Sequence, residues 1–184
     1  MHILVLYATT EGQTRKVARF AARRLVAPGR SVELLPVADA GPADLDEADA
    51  AVLAGSLHVE RYQPELVGFA RDGAVRLATI PTMFLSVSLS AAGYDPEDRE
   101  GLARCLARFE AETGWHPGRT VQVAGAFRFT EYDYFKAWMM RRVARDKGQS
   151  VGRGEDREYT DWDALGGEVE AFGASLDTGR KLRA

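Results

Sequence analysis

Five short apolar runs alternate along this chain with segments of helical pattern. The first run, residues 2–7, contains β-branched side chains and almost no polar ones, as in a strand that is buried on both faces of a sheet. Strands that alternate with helices predict an α/β fold with a doubly wound parallel sheet. The five predicted strands are 2–7, 31–36, 50–55, 82–89 and 120–126.

Length and composition narrow the class of protein. A chain of 184 residues predicts one domain, spanning 1–184, and its 46% hydrophobic and 28% charged residues are typical of a soluble globular protein. A net charge of −3 gives no reason to expect nucleic-acid binding. The single cysteine, Cys105, excludes an intramolecular disulfide and suits a reducing compartment. No signal peptide or membrane-spanning run is seen, so we expect a cytoplasmic protein, at most attached peripherally to the inner face of the cell membrane.

The turn after the first strand has the composition of a phosphate site. Hydroxyl side chains surround Gly12, and a helical pattern follows at once, so the free N–H groups of the first helical turn would face this turn. Neither a G-x-G-x-x-G motif nor a P-loop is present. An ordinary strand-to-helix turn with a threonine cap is the alternative. The predicted phosphate-binding residues are Thr9, Thr10, Glu11, Gly12, Gln13 and Thr14.

Other loops are expected at the same edge of the sheet. With five strands and a phosphate loop after the first, the strand order 2-1-3-4-5 is favoured, and ligands of such sheets bind beyond the carboxyl ends of the strands. Tyr62 would offer an aromatic face to a flat ring there, or would be an ordinary surface tyrosine. Ser86 and Ser88 would reach ring nitrogens and carbonyls. The predicted cofactor-binding residues of these loops are Ser56, Leu57, His58, Tyr62, Ser86, Val87, Ser88, Leu89 and Gly125.

A long segment separates the fifth strand from the last helix. Residues 127–158 are too many for a plain connection. Phe135, Trp138, Met139 and Val143 fall on one helical stripe, with basic side chains elsewhere. Such a helix suits an anionic membrane surface or a site for an apolar ligand, and a helix packed on the domain with a solvated basic face is the alternative.

Several motifs along the chain form a recognisable combination, to which the length and character of the insert add. They are residues 9–14, Gly55-Ser56 with Tyr62, Ser86-Val87-Ser88-Leu89, Ala124-Gly125-Ala126 followed by Arg128, and Tyr159-Thr160-Asp161-Trp162. Together these features resemble the menaquinone-dependent protoporphyrinogen IX dehydrogenase family, which comprises flavodoxin-like FMN proteins of haem biosynthesis. The resemblance implies a flavodoxin-like fold, FMN as cofactor, protoporphyrinogen IX as substrate, and menaquinone or another quinone as acceptor at the membrane.

The resemblance also gives roles to the insert. Arg128, Lys136 and Arg141 are candidates for binding the propionates of a porphyrinogen, because cationic side chains pair well with carboxylates. The flavin would carry the oxidation itself, so no side chain is assigned as a catalytic acid or base. No metal site is expected.

Three other functions stay open at this stage. A flavodoxin-type electron carrier would need a strongly acidic docking surface, whereas the net charge is only −3 and the insert is basic. A flavin-dependent quinone reductase fed by a nicotinamide would be expected to show a second dinucleotide motif. A flavodoxin-like binding module without FMN is the third, because the carboxylate of Glu11 would repel a phosphate unless it points outward. The sequence leaves open whether the protein forms a homo-oligomer.

Overall fold

The strands form one parallel sheet of the predicted order. The computed structural model describes residues 1–10, 12–92, 96–127 and 157–181. Its five-stranded sheet has the order β2-β1-β3-β4-β5, with every neighbouring pair parallel, which confirms the doubly wound α/β prediction. The strands are β1 His2–Ala8, β2 Ser31–Pro36, β3 Ala50–Ser56, β4 Thr82–Ser88 and β5 Arg119–Ala124.

The helices follow the predicted alternation, with two differences. The sequence pattern of residues 64–77 predicts one helix, but the structure divides it at Gly73, where a Cβ atom would lie 2.6 Å from Leu45 Cδ2. The turn-rich segment after β2 contains a short helix, which begins at Pro42 and in which Asp44 accepts a hydrogen bond from the Gly41 N–H at 2.7 Å. The helices are α1 Gln13–Leu25, α2 Pro42–Glu47, α3 Pro64–Asp72, α4 Ala74–Leu77, α5 Pro96–Thr113 and α6 Trp162–Lys181, with 3₁₀ turns at Val37–Asp39 and Ser90–Ala92.

Both faces of the sheet are covered by apolar side chains. On one face, Val17, Ala21 and Leu25 of α1 are fully buried and pack with α6 against the strands. On the other face, the core includes Leu66 of α3 and the fully buried Trp115, which follows α5. Because β1 and β3 are covered on both sides, their carboxyl ends are fixed in position, and so are the loops that follow them.

Strand register brings the predicted loops to one edge. Ala8 lies opposite Gly55, Ser56 lies opposite Val87, and Ser88 lies opposite Ala124. The loops after β1, β3, β4 and β5 therefore begin on neighbouring strands at about the same height. This is the edge at which doubly wound sheets bind their ligands.

The insert begins and ends at this edge too. Strand β6, Ala126–Phe127, pairs antiparallel with β7, Arg157–Glu158, and Phe127 lies opposite Arg157. The candidate substrate residues Arg128, Lys136 and Arg141 lie outside the described residues, as does the apolar stripe predicted for this segment. Of the helices that the structure describes, none combines the length and the apolar character needed to cross a membrane.

Candidate cofactor site

The start of α1 is open to an anion. Gly12, which precedes the helix, has φ 92°, a left-handed conformation that favours glycine, and its N–H donates to Thr9 Oγ1 at 2.9 Å. The first helical bond runs from the Lys16 N–H to the Gly12 carbonyl at 3.2 Å. The N–H groups of residues 13–15 therefore have no acceptor within the helix, and the first turn carries no acidic side chain. These amides lie at the positive end of the helix dipole.

Thr14 adds a hydroxyl that needs a partner. Its side chain is 1% exposed, and Oγ1 has no hydrogen-bond partner among the described residues. A buried hydroxyl left unpaired costs about 1–3 kcal/mol, so such groups are rare in folded proteins. A phosphate on the first turn would supply the missing acceptor. The donors at this turn therefore fit the phosphate of FMN, while Glu11 lies outside the described residues.

The loop after β3 is a tight hairpin joined to the loop after β1. His58 and Arg61 exchange backbone hydrogen bonds of 2.8 and 3.0 Å, and Val59 and Glu60 at its tip have φ of 47° and 60°. The side chain of His58 is exposed. Ser56 and Leu57 are half-buried, and the Leu57 N–H donates to the carbonyl of β4 residue 87 at 2.7 Å.

A glutamine that the sequence analysis did not single out connects these two loops. Gln63 Nε2 donates to Thr10 Oγ1 at 3.3 Å and to Ser56 Oγ, while Gln63 Oε1 is buried without a partner among the described residues. The available signal was a glutamine directly before Pro64, at a helix start where shorter polar residues are usual.

Tyr62 and Ser86 lie in the core and not in the cleft. Tyr62 is 7% exposed, its OH is 2.8 Å from Ser86 Oγ, and its ring contacts Phe84 and Phe109 with centroids 5.2 and 5.0 Å apart. Burial raises the pKa of Tyr62 to about 12, although the hydrogen bond to Ser86 partly opposes this rise.

The sequence-based placement of these two residues therefore needs correction. The Tyr62 ring does not present a face to a ligand at this edge, and the Ser86 hydroxyl is already paired. The physical reason is Gly55. A Cβ atom there would lie 3.2 Å from Tyr62 Cδ1 and 2.3 Å from Leu66 Cδ2, so its absence lets Tyr62 turn inward.

The ends of β4 and β5 are held by backbone hydrogen bonds. The Gly125 N–H donates to the Ser88 carbonyl at 2.9 Å, and Ser88 Oγ accepts from the Ala91 N–H at 3.1 Å. Val87 is buried and Leu89 is half-buried. A Cβ atom at Gly125 would meet Val87 and Ser88 at ordinary distances of 3.5 and 3.6 Å. The packing of the protein therefore leaves room for a side chain at this position. That a bound ligand requires glycine here stays a prediction.

A polar cluster ties the chain that returns from the insert to α1. Gln13 Nε2 donates to Glu158 Oε1 at 2.8 Å and to Thr160 Oγ1 at 2.9 Å, and Thr160 Oγ1 donates to the Ala124 carbonyl at 2.6 Å. Lys16 Nζ lies 2.8 Å from both oxygens of Glu158 and 5.1 Å from the centre of the Trp162 ring.

This cluster sets the charge beside the helix start. Burial raises the pKa of Glu158, but hydrogen bonds from Lys16 and Gln13 and the Lys16 charge outweigh it, so the pKa falls below its ordinary value. The carboxylate thus neutralises Lys16. An anion at α1 would be bound mainly by amides and hydroxyls. Among the described residues, no group of three or more histidine, cysteine, aspartate or glutamate side chains is placed to hold a metal ion.

Comparisons with known proteins agree with this fold. The model of the flavodoxin domain family matches residues 4–151. Protoporphyrinogen IX dehydrogenase [quinone] of Escherichia coli K12 is 29% identical over 166 residues, which cover 90% of this chain and 91% of that protein. The protein of the same name from Leishmania major is 22% identical over 88% of this chain and 70% of its own. The solved structure of a Streptococcus pneumoniae TIGR4 flavodoxin has a TM-score of 0.57 at 15% identity, covering 97% of this chain and 99% of that one.

Proposed function

This chain belongs to the flavodoxin domain family, and on that premise we propose that it is an FMN-dependent dehydrogenase that oxidises protoporphyrinogen IX to protoporphyrin IX with a quinone as acceptor. The observation that carries the proposal is the similarity to the Escherichia coli dehydrogenase over 90% of this chain and 91% of that protein. The tenth of the chain left out is shorter than the insert, so the match must include part of the segment that a minimal flavodoxin fold does not need.

The cofactor is FMN, and in this proposal its phosphate binds at the start of α1. The amides of residues 13–15, with the hydroxyls of Thr9 and Thr14, supply uncharged donors at the positive end of α1. The chemistry that FMN supplies when bound is to take up the hydrogens lost by the porphyrinogen and to pass them to the quinone. The protein binds the cofactor, orients it at the carboxyl edge and admits a flat substrate.

The substrate contacts belong to the insert in this proposal. Arg128, Lys136 and Arg141 would pair with the propionates, because guanidinium and ammonium groups bind carboxylates through charge-assisted hydrogen bonds. The observation that supports these three contacts is the position of the two ends of the insert. The two ends of the insert pair as β6 and β7, and the Tyr159 N–H that follows donates to the Gly125 carbonyl at 3.0 Å, beside the cofactor edge.

Charge on the outside of α1 argues against the electron-carrier alternative. The helix carries five basic residues and no acidic one. Arg15, Arg19 and Arg23 are exposed. A basic helix beside the cofactor edge is the opposite of the acidic docking surface that a small carrier protein would present.

The test is flavin binding followed by turnover. Purified protein is titrated with FMN and followed by flavin absorbance and calorimetry. Protoporphyrinogen IX and a soluble quinone are then added, and porphyrin fluorescence reports product. We expect stoichiometric FMN and a rate that needs both the flavin and the quinone. If no FMN binds at high micromolar concentration, the alternative of a flavodoxin-like binding module without FMN would be favoured. Binding of FMN with no porphyrin formed, but with quinone reduced by a nicotinamide, would favour the reductase.

A further inference from the structure

Gln63 is an unusual residue for its position. It caps the start of α3, where its carbonyl accepts hydrogen bonds from the N–H groups of Leu66 and Val67 at 3.0 and 3.1 Å. Its side chain makes no capping hydrogen bond. Serine, threonine, aspartate and asparagine are the residues preferred at this position, because their short side chains reach the free helix amides. Helix capping therefore does not account for a glutamine here.

The side chain instead spans two loops of the cofactor edge. Nε2 contacts Thr10 Oγ1, in the phosphate loop after β1, and Ser56 Oγ, at the end of β3. Strands β1 and β3 are direct neighbours in the sheet. The amide therefore lies across the step from the phosphate loop to the adjoining strand. The nearby helix start holds Thr14, whose hydroxyl also has no partner within the described part of the chain.

One end of this amide has no hydrogen-bond partner among the described residues. Gln63 Oε1 is buried and unpaired. Exchanging the amide oxygen and nitrogen does not remove the problem, because the hydroxyls of Thr10 and Ser56 can donate as well as accept. In either orientation a buried polar atom remains without a partner. A ligand hydroxyl can satisfy either orientation, whereas a phosphate, which only accepts, can satisfy one.

Resting on the proposed FMN site, we propose that Gln63 binds the ribityl chain of FMN through its free amide end. The phosphate of FMN is joined directly to this hydroxyl-bearing chain. With the phosphate bound at the start of α1, the next groups of the cofactor reach the neighbouring strand step, where Gln63 lies. Thr14 then recognises the phosphate, and Gln63 recognises the polyol that follows it.

Three flavins separate these roles. FMN has phosphate, ribityl chain and ring; riboflavin lacks the phosphate; lumiflavin lacks both the phosphate and the chain. Affinities are measured by fluorescence quenching on flavin-free protein for the wild type and for Gln63→Met, which keeps the length of the side chain. Gln122→Met is the matched control, because Gln122 is exposed on β5. Thr14→Val is the phosphate control. Thermal melts without flavin confirm that each variant is folded.

We expect Gln63→Met to weaken FMN and riboflavin by the same factor, about tenfold, equivalent to about 1.4 kcal/mol. Lumiflavin affinity should not change. Thr14→Val should weaken FMN and leave riboflavin unchanged, and Gln122→Met should change nothing. The proposal is overturned if Gln63→Met leaves riboflavin binding intact, or weakens all three flavins equally. If the wild-type protein binds FMN in either of those cases, the proposed function is not contradicted. A wild type that binds no flavin overturns both.

Discussion

Thr14 combines a structural cost with a use for it. Its hydroxyl is buried directly inside the first turn of α1, and none of the residues that the structure describes offers it a hydrogen-bond partner. Valine has nearly the same shape and would bury no polar atom. On stability alone, valine would therefore be the better residue. The threonine is explained if a ligand accepts from the hydroxyl, and this gives a prediction in which stability and affinity move in opposite directions.

We predict that Thr14→Val weakens FMN binding by about 1–3 kcal/mol, because a phosphate oxygen then loses its donor. The melting temperature of the flavin-free protein should stay the same or rise, since an unpaired buried hydroxyl has been removed. Thr14→Ser, which keeps the hydroxyl, is the control and should retain most of the affinity. Calorimetric titration and thermal melts measure both quantities. A fall in flavin-free stability together with unchanged FMN affinity would make Thr14 a purely structural residue.

For Tyr62 we expect the opposite result, in which a substitution lowers stability and leaves FMN affinity unchanged. Tyr62→Phe removes the buried hydrogen bond to Ser86 and should lower the free energy of unfolding by about 1 kcal/mol, with FMN affinity unchanged. Because burial raises the Tyr62 pKa to about 12, its contribution is complete below about pH 10 and is lost as pH rises through 12. Urea unfolding from pH 7 to 11 should therefore show the two proteins converging at the alkaline end. If Tyr62→Phe lowered FMN affinity instead, the Tyr62 ring would have to be assigned to the cofactor site.

At the scale of elements, the sequence predicted the strands well and the contacts between distant segments poorly. The alternation of apolar and amphipathic runs predicts a parallel sheet between helices, and the phosphate loop expected after the first of five strands favours the observed order. The sequence pattern does not distinguish the short helix α2 from a turn, since proline, aspartate and alanine also suit turns. Tyr62 was placed outside because the sequence does not reveal that Gly55 leaves room for its ring. The Lys16–Glu158 pair joins residues 142 positions apart, which no local pattern indicates.

Gly55 and Gly125, which lie at the ends of two strands, should respond differently to substitution. Gly55→Ala would place a Cβ atom 2.3 Å from Leu66 Cδ2, so the buried Leu66 side chain must shift, and we expect a loss of about 1–3 kcal/mol in unfolding free energy. Gly125→Ala meets its neighbours at ordinary distances and should leave stability almost unchanged. Urea denaturation of both variants tests this. Gly125→Val is then titrated with FMN, and reduced affinity in a folded protein is the expected result. Unchanged affinity would show that this strand end does not contact the cofactor.

The link between β7 and α1 should depend on pH. Because the pKa of Glu158 lies below its ordinary value, the carboxylate stabilises the protein above that ordinary value, about pH 4.3, and this contribution is lost as pH falls through the lowered pKa. Glu158→Gln should cost about 0.2–1 kcal/mol at pH 7, the range of an exposed ion pair. The cost should shrink as pH falls and disappear once the carboxylate is protonated in the folded protein. Melting curves of both proteins across the acid range measure it, and a difference that persists after this protonation would assign the effect to packing.

At the scale of the molecule, one edge of the sheet collects the parts that the proposed reaction needs. The helix start proposed to bind phosphate, the amide of Gln63 and the base of the insert all lie at the carboxyl ends of neighbouring strands. The insert is attached through the short β6–β7 ladder, whose last described pair is Phe127 and Arg157. The segment between them can therefore be removed without stretching the chain on either side.

The last prediction uses this ladder to separate cofactor binding from turnover. Residues 128–156 are replaced by Asn-Gly, a turn of the two-residue type that closes antiparallel strands. FMN should still bind, because Thr9, Thr14 and Gln63 are untouched, and bleaching by dithionite confirms a competent flavin. Quinone-dependent oxidation of protoporphyrinogen IX should be lost, because the proposed propionate contacts are gone.

Co-sedimentation with anionic vesicles tests the membrane role of the same segment. Each basic residue near such a surface contributes about 1 kcal/mol, so binding of the full chain should be present at low salt and reduced at high salt. The deletion variant should not sediment in either condition. A control chain with Arg141, Arg145 and Lys147 changed to glutamine keeps the segment but removes charge, and it should lose vesicle binding at low salt. If the deletion variant oxidises the porphyrinogen at the full rate, the insert is not part of the active site, and the substrate contacts must be sought among the described residues of the edge.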